Sequence, residues 1–167
     1  MRRIFSVLIS FLSGMIADRV AAKKKYDNRL NAERLRSEKL QEFYDLLLLW
    51  LELRQRGRSL KPYFDKKQYK CAAIYGMKEI GEALYRELES IGIEIKYLID
   101  KNADIIYSEK DVYTPDDSLP DVDLIIVTAL HYYDEIAEKL SVRVGCPVVN
   151  LTDIVYESLA YDIGRVI

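Results

Sequence analysis

The chain is predicted to be an α/β protein, a small parallel sheet of about five strands in the order 3-2-1-4-5 preceded by a long α-helical extension. Two observations carry this. Between Asp27 and Gly57 apolar residues recur at three- and four-residue steps with no intervening Pro or Gly, which is helical spacing. From Tyr69 onward the pattern changes to short apolar runs such as CAAIYG and DLIIVTAL, alternating with helical patterns. That alternation builds a sheet covered on both faces.

Composition limits the function classes. A length of 167 residues suits one domain with an appendage. Half the residues are apolar and 31% are charged, the balance of a folded chain. The net charge of -2 hides an asymmetry: Arg2, Arg3, Arg19, Lys23, Lys24 and Lys25 face only Asp18 in residues 1–25, so the remainder is acidic. An acidic core lacks the basic face that nucleic acid requires, and no nucleic-acid partner is expected. Cys71 and Cys146 lack CxxC spacing and have a single histidine to join them. No metal site is expected, and a reducing, cytoplasmic setting fits.

Residues 1–25 form a basic and apolar segment. The run Ile4 to Ala17 spans about fourteen residues, short of the roughly 20 that cross a bilayer. On a helix, Ser6, Ser10, Ser13 and Ala17 fall on one stripe and Ile4, Leu8, Phe11, Leu12, Met15 and Ile16 cover the rest. Three readings stay open: contact of residues 4–25 with the inner face of a membrane, packing on a partner or second copy, and a cleaved signal.

Residues 27–57 read as one long helix stopped by Gly57. Its first half, NRLNAERLRSEK, is mostly charged, whereas Leu40 to Leu53 is apolar on nearly every side. One face is expected to dock on the α/β domain and another to meet a second subunit, giving a homo-oligomer through residues 40–53. Ser59 to Lys67, with Pro62, reads as a polar connection holding one further helical turn.

The α/β domain occupies residues 69–161. Cys71 to Gly76 is a buried strand entering a tight turn, Met77 to Ile91 a helix, and Ile93 to Asp100 a second strand. Asp104 to Tyr107 and Asp111 to Tyr113 are expected as brief extended pieces, and TPDDSLPDVD as turn and loop. Asp123 to Leu130, apolar and β-branched, belongs at the centre of the sheet. Tyr132 to Leu140 is helical, Pro147 to Leu151 is the last strand, and Thr152 is placed to cap a closing helix from Asp153 to about Tyr161.

The stretch IYGMKEIGEALYRELESIGIEIKYLIDKNA resembles the Rossmann-like, CoA-binding-type domain of bacterial proteins that make surface polysaccharides. The resemblance covers about residues 69–157 and implies a nucleotide-type ligand, with NAD(P) or a nucleotide sugar as candidates. Gly76 matches the first glycine of the family's turn and Gly81 the one that lets helix and strand pack closely. Lys78 replaces the middle glycine, which narrows the approach to a pyrophosphate while offering an ammonium at a helix amino terminus. Asp100 matches the acidic residue that takes a ribose hydroxyl; its other reading is a solvated carboxylate opening a turn with Lys101 and Asn102. Thr128 and His131 fall at the end of the Asp123 to Leu130 run, on the rim where open α/β sheets bind ligands.

Catalytic residues are not assigned. GxSxG, GxxxxGK[ST] and metal-ligand clusters are absent, and Tyr85 is followed at i+4 by Glu89 where a short-chain dehydrogenase would need lysine. Three functions remain in view: a nucleotide or nucleotide-sugar binding module accessory to surface polysaccharide synthesis, a ligand-free scaffold, and an NAD(P)-dependent sugar-nucleotide enzyme.

Overall fold

The computed structural model describes the backbone of residues 2–160 and the side chains of Arg19 and of residues 22–160. The stripe of Ser6, Ser10, Ser13 and Ala17 therefore lies outside the described side chains, and Tyr161 outside the described backbone. Helix α1 spans Arg2–Gln55. The chain divides between Gln41 and Glu42 into two compact units. The second contains the end of α1 and the whole α/β domain.

Helix α1 stops for a local reason. Gly57 adopts φ +70°, its N–H donates to the Arg54 carbonyl at 2.9 Å, and the Arg58 N–H donates to the Leu53 carbonyl at 3.2 Å. These two bonds form a Schellman cap, which a residue with a Cβ enters only under strain. Helix α2, Lys61–Lys67, carries Pro62 in its first turn, where a fixed φ and a missing N–H are suited. It turns Tyr63 and Phe64 into the core.

Five parallel strands follow: β1 Cys71–Tyr75, β2 Glu94–Ile99, β3 Val112–Tyr113, β4 Leu124–Val127 and β5 Val148–Asn150. Their order is β3-β2-β1-β4-β5, as the sequence predicts. The central strand is β1, so the Asp123 to Leu130 run supplies its neighbour instead of the centre. Helices α3 Glu79–Ser90, α4 Tyr133–Ser141 and α5 Leu151–Ala160 complete the domain.

Strand residues alternate between two cores. Ala72, Ile74, Leu98, Leu124 and Ile126 face one with Leu84, Leu88, Ile154 and Val155, and Leu46, Trp50 and Leu53 of α1 join them. Ala73, Tyr75, Tyr97, Ile99, Ile125 and Val127 face the other, where Ile136 and Leu140 of α4 meet them. Burial on both faces explains why these strands read as unbroken apolar runs. Because the β2–β3 and β3–β4 connections carry no α-helix, α4 is, among the described residues, the one α-helix packed against that second core.

Polar contacts fix the layers. Trp50 Nε1 donates to Glu87 Oε2 at 2.7 Å, and Oε1 of the same carboxylate accepts the Leu60 N–H at 3.2 Å. Asp123 Oδ2 accepts the N–H groups of Lys70 at 2.6 Å and Cys71 at 2.9 Å, tying the start of β4 to the start of β1. Those donors lower the Asp123 pKa from its usual value.

Several local expectations are corrected. Asp104 to Tyr107 forms no strand: residues Ala103–Ile105 make a 3-10 turn, and Ile106 after it is extended. Leu130 has left the strand, since β4 ends at Val127 and Leu130–Tyr132 is also 3-10. Thr152 is not the cap of the last helix; Asn150 Oδ1 accepts the Thr152 N–H at 2.9 Å and caps it from the end of β5. Trp50 is 6% exposed and belongs to the chain's own core. The apolar residues of α1 that stay uncovered in the second unit are Tyr44, Leu47, Leu48 and Leu51. Among the described residues no helix is long and apolar enough to cross a membrane.

Candidate functional site

The site begins where β1 runs out. Gly76 takes φ +95°, and its N–H donates to the Ile99 carbonyl at 2.8 Å, so the chain leaves the sheet in a conformation open to glycine. A Cβ on Gly76 would sit 2.8 Å from Thr128 Oγ1. Thr128, 5% exposed, places that hydroxyl 2.8 Å from the Gly76 carbonyl and 3.1 Å from the Tyr75 carbonyl, and its single proton serves one of them at a time. A Cβ on Gly81 would lie 2.0 Å from the Gly76 carbonyl oxygen, so α3 can approach the turn only through a glycine.

Asp100 closes this arrangement from β2. Its Oδ2 accepts the Met77 N–H at 3.1 Å, while Oδ1 accepts the Asn102 N–H at 2.9 Å. The carboxylate thus holds the glycine turn and its own turn at once. Lys78 is the N-cap residue of α3, extended in backbone and exposed in side chain, with no side-chain cap bond. Gly76, Lys78, Gly81, Asp100 and Thr128 therefore gather at the carboxyl ends of β1, β2 and β4, where the strand order reverses. Ligands of open α/β sheets bind at such a point.

His131 does not join them. Its Nδ1 lies 3.3 Å from Glu42 Oε1 on α1, and its ring meets Tyr132 edge-on at 5.4 Å. It links the 3-10 turn after β4 to the end of α1. The cysteines are remote as well: Cys71 is buried at the opposite end of β1, and Cys146 precedes β5 with its thiol pKa pushed up by burial. Among the described residues no group of His, Cys, Asp and Glu could hold a metal ion.

A cavity of about 560 Å³ opens beside this turn on the α4 side of the sheet, within the range of small-molecule sites. Tyr75, Ile136 and Leu140 supply its buried floor, Thr114 to Asp116 one wall, and the α4 residues Glu135 and Lys139 the other. Lys101 and Arg143 complete the rim. The loop wall is built, not loose. Asp117 Oδ2 accepts the Thr114 N–H at 2.6 Å and its hydroxyl at 2.8 Å, which lowers the Asp117 pKa. Arg143 donates Nη2 to the Asp116 carbonyl at 2.7 Å and the Asp117 carbonyl at 3.1 Å, and Nη1 to the Pro115 carbonyl.

The electrostatics are mixed. Lys139 Nζ meets Glu135 Oε1 at 2.5 Å, raising the lysine pKa and lowering that of the carboxylate. Burial first, then Asp100, Glu135 and Asp116, raise the Tyr75 pKa, so its phenol stays neutral.

None of the residues singled out in the sequence lines the cavity, yet two stand one position from it: Tyr75 precedes Gly76, and Lys101 follows Asp100. Glu135, Lys139 and Arg143 give no motif, because a Glu–Lys pair at i,i+4 followed by Arg at i+4 reads as an ordinary helix surface. Their convergence with Thr114 to Asp116 follows from the β3–β4 connection. No protein-family model matches the chain, and no curated protein or solved structure matches it either.

Proposed function

We propose that the chain is a binding module for a nucleotide-linked small molecule, a nucleotide sugar or NAD(P), serving surface polysaccharide assembly as an accessory component. The observation that carries this reading is the adjacency of the Gly76 turn and a ligand-sized cavity at the carboxyl edge of the sheet. Free Lys78 at the start of α3 and Lys101 at the cavity rim supply cations for phosphate oxygens. The connection to polysaccharide assembly rests on the resemblance of residues 69–157. A catalytic role has less support, because the cavity lining offers neither histidine nor cysteine beside a base.

A scaffold without ligand is the second reading. It is favoured by the Met77 N–H, which already has an acceptor in Asp100, so one donor of the turn is satisfied internally. Thermal unfolding with NAD, NADP, UDP-glucose and CoA separates the two. A ligand at about a hundred times its Kd adds about 2.7 kcal/mol of stability. A raised Tm with one of the four supports the module; an unchanged Tm with all four makes the scaffold the better account.

A further inference from the structure

The chemistry of the cavity rim narrows the ligand. Its carboxylates each stand beside a cation: Glu135 is 2.5 Å from Lys139, and Asp116 Oδ1 is 3.8 Å from Arg143. Each pair presents donors and acceptors together, which matches a molecule whose hydroxyls both give and accept hydrogen bonds. Beneath them lie the aliphatic side chains of Ile136 and Leu140, suited to the C–H face of a sugar ring. An aromatic platform is missing. Tyr75, 5% exposed, is the one aromatic residue of the lining, so a flat base would find little ring surface on which to stack.

Lys101 adds the anionic requirement. Of the lining cations it alone has neither a hydrogen bond nor an ion pair among the described residues. It lines the cavity and directly follows Asp100, whose carboxylate holds the glycine turn. Resting on the nucleotide-linked reading above, we propose that this cavity receives the glycosyl end of a phosphorylated sugar. Lys101 takes a phosphate oxygen, and the Glu135–Lys139 and Asp116–Arg143 pairs bind the sugar hydroxyls. The nucleoside end then lies outside the cavity, along the carboxyl edge past Gly76 and Lys78.

Calorimetric titration of the full chain with UDP-glucose, UDP, glucose 1-phosphate and inorganic phosphate tests this. UDP-glucose is expected to bind more tightly than UDP. Lys101→Ala is expected to weaken UDP-glucose by about tenfold or more, the loss of one charge-assisted contact, and Glu135→Gln to reduce the advantage of UDP-glucose over UDP. These residues are exposed, so an unchanged Tm in each variant confirms that the fold is intact. Equal binding of UDP and UDP-glucose, unaffected by Lys101→Ala and Glu135→Gln but lost in Lys78→Ala, overturns the cavity assignment and leaves the nucleotide reading standing. Binding of glucose 1-phosphate but not UDP, abolished by Lys101→Ala, supports the cavity and sinks the nucleotide reading. Failure of all four to bind overturns both.

Discussion

The Cα of Gly81 points at the carbonyl oxygen of Gly76 so closely that a Cβ would stand 2.0 Å from it. That contact sets how near α3 lies to the end of β1, and it gives a clear mutational contrast. Gly81→Ala must push the helix off the turn and is expected to cost about 3 kcal/mol. Gly145→Ala, with nothing within 4 Å of the added methyl, is expected to change stability by no more than about 0.5 kcal/mol. Urea unfolding of both variants checks the pair; similar losses would mean that the close approach is not what Gly81 provides.

A second test concerns how α1 is fastened to the domain. The Glu87 side chain, 9% exposed, accepts from both Trp50 Nε1 and the Leu60 N–H. Glu87→Ala leaves two donors without an acceptor and is expected to cost roughly 2–4 kcal/mol, since each unsatisfied buried group costs about 1–3 kcal/mol. Glu87→Gln keeps one acceptor and is expected to lose less. Trp50 is the single tryptophan, so its fluorescence reports the change: a red shift at low denaturant in Glu87→Ala indicates a loosened α1, and an unshifted spectrum with full stability refutes the role.

The order of strands was legible because it depends on features a sequence carries openly: apolar runs of strand length, a glycine closing the first, and the handedness of βαβ connections. Gly76, Asp100 and Thr128 could be placed at one sheet edge for the same reason. The cavity could not. It exists because the connections flanking the two-residue β3 hold no α-helix, and a missing helix leaves only an irregular stretch such as TPDDSLPDVD as its sign. Thr152 reads as a cap in the sequence because the true cap, Asn150, is itself the last residue of β5. His131 reads as a rim residue, and the 3-10 turn after Val127 sets its ring beside Glu42, a partner distant in sequence that no local pattern announces.

Acid stability follows from Asp123. Its folded pKa is lowered by the N–H groups of Lys70 and Cys71, while in the unfolded chain it returns to about 3.9. A carboxylate with a depressed folded pKa contributes stability that is present above the unfolded value and lost as pH falls through the folded one. Asp123→Asn is therefore expected to lower stability at neutral pH and to flatten its fall below about pH 4. Urea midpoints measured from pH 2 to 7 decide this; parallel curves for the two proteins would remove Asp123 from the account.

Self-association is the last expectation, and it concerns the part of α1 that the domain leaves bare. Leu46, Trp50 and Leu53 are buried in the core, whereas Tyr44, Leu47, Leu48 and Leu51 are 56%, 49%, 47% and 52% exposed. Those four lie on one helix face at spacings of three, one and three. The spacing reads the same in both directions, so a second copy related by a two-fold axis and running antiparallel sets Tyr44 opposite Leu51 and Leu47 opposite Leu48. Water contact with such a stripe is unfavourable, and burying it contributes about 25 cal/mol per Å². Light scattering of the full chain is expected to give a mass that rises with concentration toward twice the monomer. Replacing Leu47 and Leu51 together with lysine is expected to abolish that rise and leave the Tm of the sheet domain unchanged, because neither side chain is needed in the core. A monomeric mass at high concentration, or a double variant that associates as before, would show that this face does not join two copies.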